Sequence, residues 1–273
     1  MKLSIITINK DNAEGLRRTM ESVLVQTNKD FEYVVVDGAS TDGSVEVMQE
    51  LSVPIKESGI AVDARSEPDL GLYNAMNKGV RKAQGDYVLM LNSGDWFVDE
   101  HVVEKVLPLL DGTDIIQGNV IRLRDGKEIL DRGYGRSDIN FIDVQQGHFL
   151  HQASFCRSDL FEKCGYFDES FKIAGDTAFY IQALGYKDAS FKYLDLMIAY
   201  FQCGGRSDAA NEAWNGIKRE EFARLSKDLF SNCLWQTCIE YDKKGRLYDK
   251  LHRHKWAWNM TMLLVKIIDR IEK

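Results

Sequence analysis

Three times in its first 95 residues the chain runs through a short, unbroken apolar stretch and stops at a polar turn. Leu3 to Ile8 stops at Asn9-Lys10-Asp11-Asn12. Phe31 to Val36 stops at Asp37-Gly38-Ala39-Ser40-Thr41-Asp42-Gly43, and Tyr87 to Leu91 stops at Asn92-Ser93-Gly94-Asp95. After the first turn, Leu16, Met20, Val23 and Leu24 recur at helical spacing. After the second, Val45, Val47, Met48 and Leu51 do the same. Apolar runs without alternation read as strands covered on both faces, and the 3.6-residue period reads as amphipathic helix. Strand, turn and helix in repetition predict βαβ units and a parallel sheet. Ligands of such sheets bind beyond the carboxyl ends of the strands, so Asn9, Asp37 and Asp95 are expected at one ligand-binding edge.

Further along, local punctuation marks other elements. Pro68 forces an extended backbone at Glu67. Asp69 then stands as a helix N-cap, or in the turn before a helix from about Leu72 to Gln84. Lys78 on that helix is either solvated or directed at phosphates near the same edge. Asp125-Gly126 between Val120, Ile121, Leu123 and Ile129, Leu130 signals a hairpin with a tight turn. Ala153 to Cys156 reads as a strand preceded by His151-Gln152. Phe179, Tyr180, Ala183 and Leu184 have helical spacing that ends at Gly185, which puts Asp176 in the first turn of a helix. There it is either an N-cap or a group with chemistry to perform. Gly204-Gly205-Arg206-Ser207 is a connection or a closing loop. Trp96 either stacks on a ligand or fills the core.

Composition narrows the class. At 273 residues, with 44% hydrophobic and 28% charged positions, the chain suits one large globular domain or a domain with an appendage. A net charge of −7 argues against a nucleic-acid binder, which usually shows a basic face. The five cysteines lack Cys-x-x-Cys spacing, which favours reduced thiols over a disulfide frame or zinc site. Met1-Lys2-Leu3-Ser4 leads straight into the first strand without a signal-peptide pattern. No apolar stretch reaches the roughly 20 residues of a membrane span. The expected location is cytoplasmic.

One charge asymmetry changes that picture. From Lys243 to Lys273 there are nine Lys/Arg against three Asp/Glu, so this tail carries about +6 and the rest about −13. It also holds Trp256, Trp258, Leu263, Leu264, Val265, Ile267 and Ile268. Such a helix either packs on the main domain or on a second copy, making a homodimer, or lies on an anionic membrane surface as a peripheral contact at the inner face of the plasma membrane.

The segments Ser4-Ile5-Ile6-Thr7-Ile8-Asn9, Val36-Asp37-Gly38-Ala39-Ser40-Thr41-Asp42-Gly43, Glu67-Pro68-Asp69 through Asn77-Lys78-Gly79, and Leu91-Asn92-Ser93-Gly94-Asp95 together resemble the family 2 glycosyltransferases of GT-A fold. The resemblance is to bacterial polysaccharide-building members of the colanic acid and O-antigen type. It implies an α/β, Rossmann-like, mostly parallel sheet flanked by helices over residues 1–206, with a C-terminal helical extension at 207–273. The implied reaction is inverting transfer of a sugar from a nucleoside diphosphate donor to an acceptor hydroxyl. Uridine diphosphate sugars are the first expectation, with guanosine and thymidine donors open, and the acceptor is a free or lipid-linked saccharide.

The same resemblance implies roles. Thr7, Asn9, Asp37 and Asp69 fall in the nucleoside pocket, Lys78 near the phosphates, and Asp95 at the last position of an Asp-x-Asp metal signature binding Mn²⁺ or Mg²⁺. Ser93 stands where that signature has its first acid, which leaves one carboxylate fewer for the cation. Asp176 is the implied catalytic base, His151 and Gln152 lie near the reacting sugar, and Arg206 reaches the diphosphate. The hairpin around Asp125-Gly126 is expected to border the acceptor. Competing classes fare worse. No Gly-x-Gly-x-x-Gly follows the first strand and no Gly-x-x-x-x-Gly-Lys-Ser/Thr occurs. A non-catalytic sugar-nucleotide-binding protein on the same fold is the remaining alternative, and retention of Asp95 and Asp176 argues against it.

Overall fold

The structure, a computed structural model, describes residues 2–140, 143–144, 148–204, 212–229, 245, 254 and 259–261. The expected βαβ units are present: β1 (Leu3–Asn9), α1 (Ala13–Leu24), β2 (Glu32–Asp37), α2 (Ser44–Glu57), β3 (Ala61–Ser66), α3 (Leu72–Lys82) and β4 (Tyr87–Met90). All residues of β1, β2 and β4 are buried, as their unbroken apolar runs require. Met20 and Val23 of α1 and Met48, Leu51 and Ile55 of α2 join Ile5, Tyr33 and Leu89 in one apolar core.

These strands run parallel in the order β3-β2-β1-β4. Beyond β4 the sheet is mixed. β8 (Ser154–Arg157) pairs antiparallel with both β4 and β6 (Ile115–Arg124). β6 pairs parallel with β9 (Phe191–Gln202), and the two-residue β5 (Trp96–Phe97) closes the path antiparallel to β9. The expected hairpin is β6 and β7 (Lys127–Asp131), whose turn residues Asp125 and Gly126 have φ of 51° and 72°, the left-handed pair a two-residue turn demands.

The described elements also include helices α4 (Val102–Val106), α5 (Ser158–Cys164), α6 (Gly175–Tyr186) and α7 (Glu212–Leu229) and the short 3-10 turns Leu107–Leu109 and His151–Ala153. The backbone divides into two compact units, Met1–Phe222 and Ala223–Lys273. The first therefore takes in the opening turns of α7. Among the described residues no helix is long and apolar enough to cross a membrane. Most of the basic C-terminal tail lies outside the described residues.

Candidate active site

Strand register brings the first two polar turns together: Asn9 lies opposite Asp37, and Asp37 opposite Ser66. The third follows β4, whose pairing with β1 continues through Leu91 N–H to Ile6 O and Ser93 N–H to Ile8 O. Three cavities open along this edge and share walls. The first, about 260 Å³, is lined by Asn9, Lys10, Asn12, Asp69, Leu72 and Ser93, among others. The second, about 420 Å³, shares Asn12, Leu72, Asn92 and Ser93 with the first and adds Asp95, His151, Gln152 and Asp176. The third, about 240 Å³, shares His151, Gln152, Ile173, Asp176 and Phe201 with the second and extends to Arg122, Arg124, Lys218 and Phe222.

Not every sequence-expected residue reaches these cavities. Thr7 is fully buried and lines none of them; its hydroxyl donates to Leu91 O at 2.7 Å and accepts from Tyr33 Oη at 2.8 Å. This small hydroxyl, on a strand covered on both faces, ties β1 to the chain just beyond β4. Asp37 is likewise fully buried and saturated. It accepts from Asn9 Nδ2 (2.8 Å), Ser40 Oγ (2.6 Å), Ser40 N (2.9 Å) and Ser66 Oγ (2.6 Å). Burial pushes its pKa up, but the donors from Ser40, Ser66 and Asn9 outweigh it and hold the carboxyl below the usual range. Asp37 thus reaches the first cavity through Asn9, which it orients. Lys78 lies outside the three linings, with its ammonium on Pro68 O at 2.7 Å and Glu67 at 3.1 Å.

Asn9, Asp69 and Ser93 do line the first cavity. Asp69 precedes Gly71, the N-cap of α3, and accepts from its N–H at 2.9 Å. Gly38 is needed opposite it, because a Cβ there would come within 2.2 Å of Asp69 Oδ2. Asn12 was not singled out from the sequence. It caps α1 by accepting from Gly15 N, and its Nδ2 holds Ser93 Oγ at 3.0 Å, so one side chain joins the first and third turns.

Asp95 and Asp176 occupy the second cavity, joined through His151. Asp95 is 6% exposed, and burial raises its pKa to about 7 against the opposing charge of His151 and hydrogen bonds from Gln152 and the Gln202 backbone. A carboxylate so deprived of water favours a cationic neighbour. Asn92 offers a buried Oδ1 without a protein partner in the same lining, and Ser93 adds a hydroxyl. This set of oxygens fits a divalent cation shared with phosphate, since Mg²⁺-type ions take one or two carboxylates and complete their shell from phosphates and water. Among the described residues no group of three His, Cys, Asp or Glu side chains forms a closed metal site.

Asp176 is not a helix cap. The N-cap of α6 is Ala174, and the Asp176 carboxylate accepts from Thr177 N (2.8 Å) and Tyr73 Oη (3.2 Å) and meets His151 Nδ1 at 3.0 Å. Burial works to raise its pKa, but the His151 hydrogen bond and charge, with Thr177 and Tyr73, hold it below the ordinary value. Its side chain remains 20% exposed, enough to meet a ligand. His151 is placed by Asp176 on one ring nitrogen and by Asn92 Nδ2 at 3.2 Å on the other. Burial lowers its pKa, and Asp176 followed by Asp95 more than restores it. Gly175 lets the helix start approach Tyr73, since a Cβ there would lie 2.7 Å from the ring.

A second residue without a sequence signal anchors this corner. Glu221 on α7 is 9% exposed and accepts the backbone N–H groups of Lys172 (2.6 Å), Ile173 (2.9 Å) and Ala174 (2.9 Å), the turn that delivers Asp176. Trp96 stacks on Tyr200 with centroids 5.1 Å apart, and the Arg18 guanidinium lies 4.8 Å over its ring; it lines none of the three cavities. Arg206 lies outside the described residues.

The model of the family described as Glycosyl transferase family 2 matches residues 4–180. An uncharacterized glycosyltransferase of Mycobacterium tuberculosis is 36% identical over 188 residues, 66% of this chain and 68% of the relative. A PGL/p-HBAD biosynthesis glycosyltransferase of Mycobacterium bovis is 29% identical over 182 residues, with the same coverage of 66% and 68%. Among solved structures, S. aureus TarS 1–349 in complex with UDP-GlcNAc superposes with a TM-score of 0.66 at 18% identity, covering 88% of this chain and 70% of that one. The mannosyltransferase PcManGT from Pyrobaculum calidifontis, in complex with GDP-Man and Mn²⁺, gives 0.64 at 18% identity, covering 88% and 68%. At that identity the likeness is one of fold.

Proposed function

The chain belongs to glycosyl transferase family 2, and on that premise we propose that it moves a sugar from a nucleoside diphosphate donor to an acceptor hydroxyl with inversion, in the building of a cell-surface saccharide. The observation that carries this reading is the row of three connected cavities with Asp176 on the wall common to the second and third. In this reading Asn9 and Asp69 receive the nucleoside in the first cavity. Ser93, Asn92 and Asp95 border the diphosphate in the second, and the third takes the acceptor. Direct displacement needs a base on the face opposite the leaving group, and Asp176 is an ionised, partly accessible carboxylate at that junction. His151 fixes its orientation, and Gln152 does the same for Asp95.

Asp95 and Asn92 would hold Mn²⁺ or Mg²⁺, which when bound supplies positive charge against the departing diphosphate, worth several kcal/mol in such reactions. The complexes of TarS with UDP-GlcNAc and of PcManGT with GDP-Man and Mn²⁺ favour a nucleotide-sugar donor and a divalent ion here, with uridine diphosphate sugars the first to try.

The test is nucleotide release from a panel of nucleoside diphosphate sugars with saccharide acceptors. Release is expected with Mn²⁺ or Mg²⁺ and lost in excess chelator. Asp176→Asn is expected to lower turnover by about 10²–10⁴-fold while thermal stabilisation by the nucleoside diphosphate is retained. Full activity in chelator removes the metal, and silent Asp176→Asn removes the base.

A further inference from the structure

The third cavity carries charge that the transfer reaction does not itself call for. Its lining includes three cationic side chains, Arg122, Arg124 and Lys218, and one carboxylate, Asp176; Arg122 is also ion-paired with Asp131 outside the lining. They stand in a chain whose first 242 residues carry about −13, so the cations are concentrated against the prevailing sign.

The backbone aims them from two sides. Arg122 and Arg124 are two apart on β6 and share one face of the strand. Arg122 is paired across the sheet with Phe201, and its guanidinium lies 5.8 Å from that ring. Its Nη2 meets Asp131 at 2.5 Å, a carboxylate that also holds His148 at 3.0 Å, while its buried Nε has no protein partner. Lys218 and Phe222 come from neighbouring turns of α7, where the Glu221 contacts with residues 172–174 fix the helix against the Asp176 turn. Phe149, Phe201 and Phe222 supply apolar walls between the charges. Aromatic faces with a cationic fork suit a sugar ring bearing an oxyanion.

We propose that the third cavity takes an anionic saccharide acceptor, one carrying a phosphate or carboxylate close to the hydroxyl that is glycosylated, with Arg124 and Lys218 binding the anion and Arg122 completing the cationic wall. The inference rests on the transferase reading and specifies its acceptor.

The experiment compares kcat/KM of the full-length enzyme for methyl glucoside, methyl glucuronide and methyl glucoside 6-phosphate. The donor is the nucleotide sugar that gives most release in the panel above. The anionic probes are expected to exceed the neutral one by about tenfold or more at low salt. That advantage shrinks as sodium chloride is raised. Arg124→Gln and Lys218→Gln should each bring the ratio towards one, and Lys218→Arg should keep it. The glucuronide and phosphate arms distinguish a uronic acid from a phosphorylated acceptor. A wild-type ratio near one, a ratio that survives both Gln substitutions, or donor release that no probe accelerates overturns the inference. Donor release alone separates the two levels: none from any nucleotide sugar undoes the transferase reading, while release with no anion preference undoes only the acceptor assignment.

Discussion

As the proposed base, Asp176 must be ionised yet is packed where charge is costly, and His151 reconciles the two. His151→Gln removes the hydrogen bond and the charge that hold the Asp176 pKa down, while the burial that raises it stays. The acid limb of the kcat/KM profile is therefore expected to move to higher pH, and an unmoved limb would detach His151 from the base. Stability follows the same pair. Asp176, depressed in the fold, stabilises above its unfolded value of 3.8 and loses that contribution as pH falls through the folded value. His151, raised in the fold, stabilises below 6.5 and loses its contribution as pH rises through the folded value. The Tm difference between wild type and His151→Gln should thus be largest between pH 3.8 and 6.5. At this scale the sequence is informative about Asp95 and Asp176, because each stands beside an apolar run that dictates its position. It is silent on direction: Thr7 and Asp37 occupy equally suggestive positions, but their side chains are consumed by Leu91, Tyr33, Ser40 and Ser66.

Among elements, the legible ones bury a continuous or periodic apolar set, as β1, β2, β4, α1 and α2 do. The sheet edge β3 is half exposed and reads Ala-Val-Asp-Ala-Arg-Ser, so nothing in its pattern announces a strand. β9 alternates irregularly across a bulged register with β6, and β5 has only two residues, so pairing rather than periodicity defines them. Long-range clamps are equally silent. Glu221 sits 47 to 49 residues from the amides it accepts, and no local motif links them. Glu221→Ala leaves three backbone donors in the Asp176 turn without their acceptor. It is expected to lower unfolding free energy by about 1–3 kcal/mol and to reduce kcat by about tenfold through misplacement of the base, with nucleotide affinity kept. Chemical denaturation and steady-state kinetics check both; an unchanged kcat would reduce Glu221 to a purely structural tie.

Across the whole molecule, charge is as unevenly placed as chemistry. A tail of about +6 on a body of about −13 gives the chain a cationic end that an anionic bilayer can attract, each Lys or Arg near the surface adding about 1 kcal/mol. Full-length protein is expected to sediment with phosphatidylserine-containing vesicles, to stay in solution with phosphatidylcholine alone, and to be released by high salt. Exchange of Lys250, Arg253 and Lys255 for Gln should weaken the sedimentation; protein that stays in solution with both kinds of vesicle would assign the tail to protein packing.

The sheet itself is divided in the same spirit. Its parallel half and the turns beyond it, residues 3–95, line the first cavity, whereas β6, β9 and the start of α7 border the cavity past Asp176. The two sets are consecutive along the chain, yet they meet in one continuous sheet through β4 and β8 and in one apolar core. A substitution at the β4–β8 seam is therefore felt on both sides of the row of cavities, because a close-packed interior transmits strain.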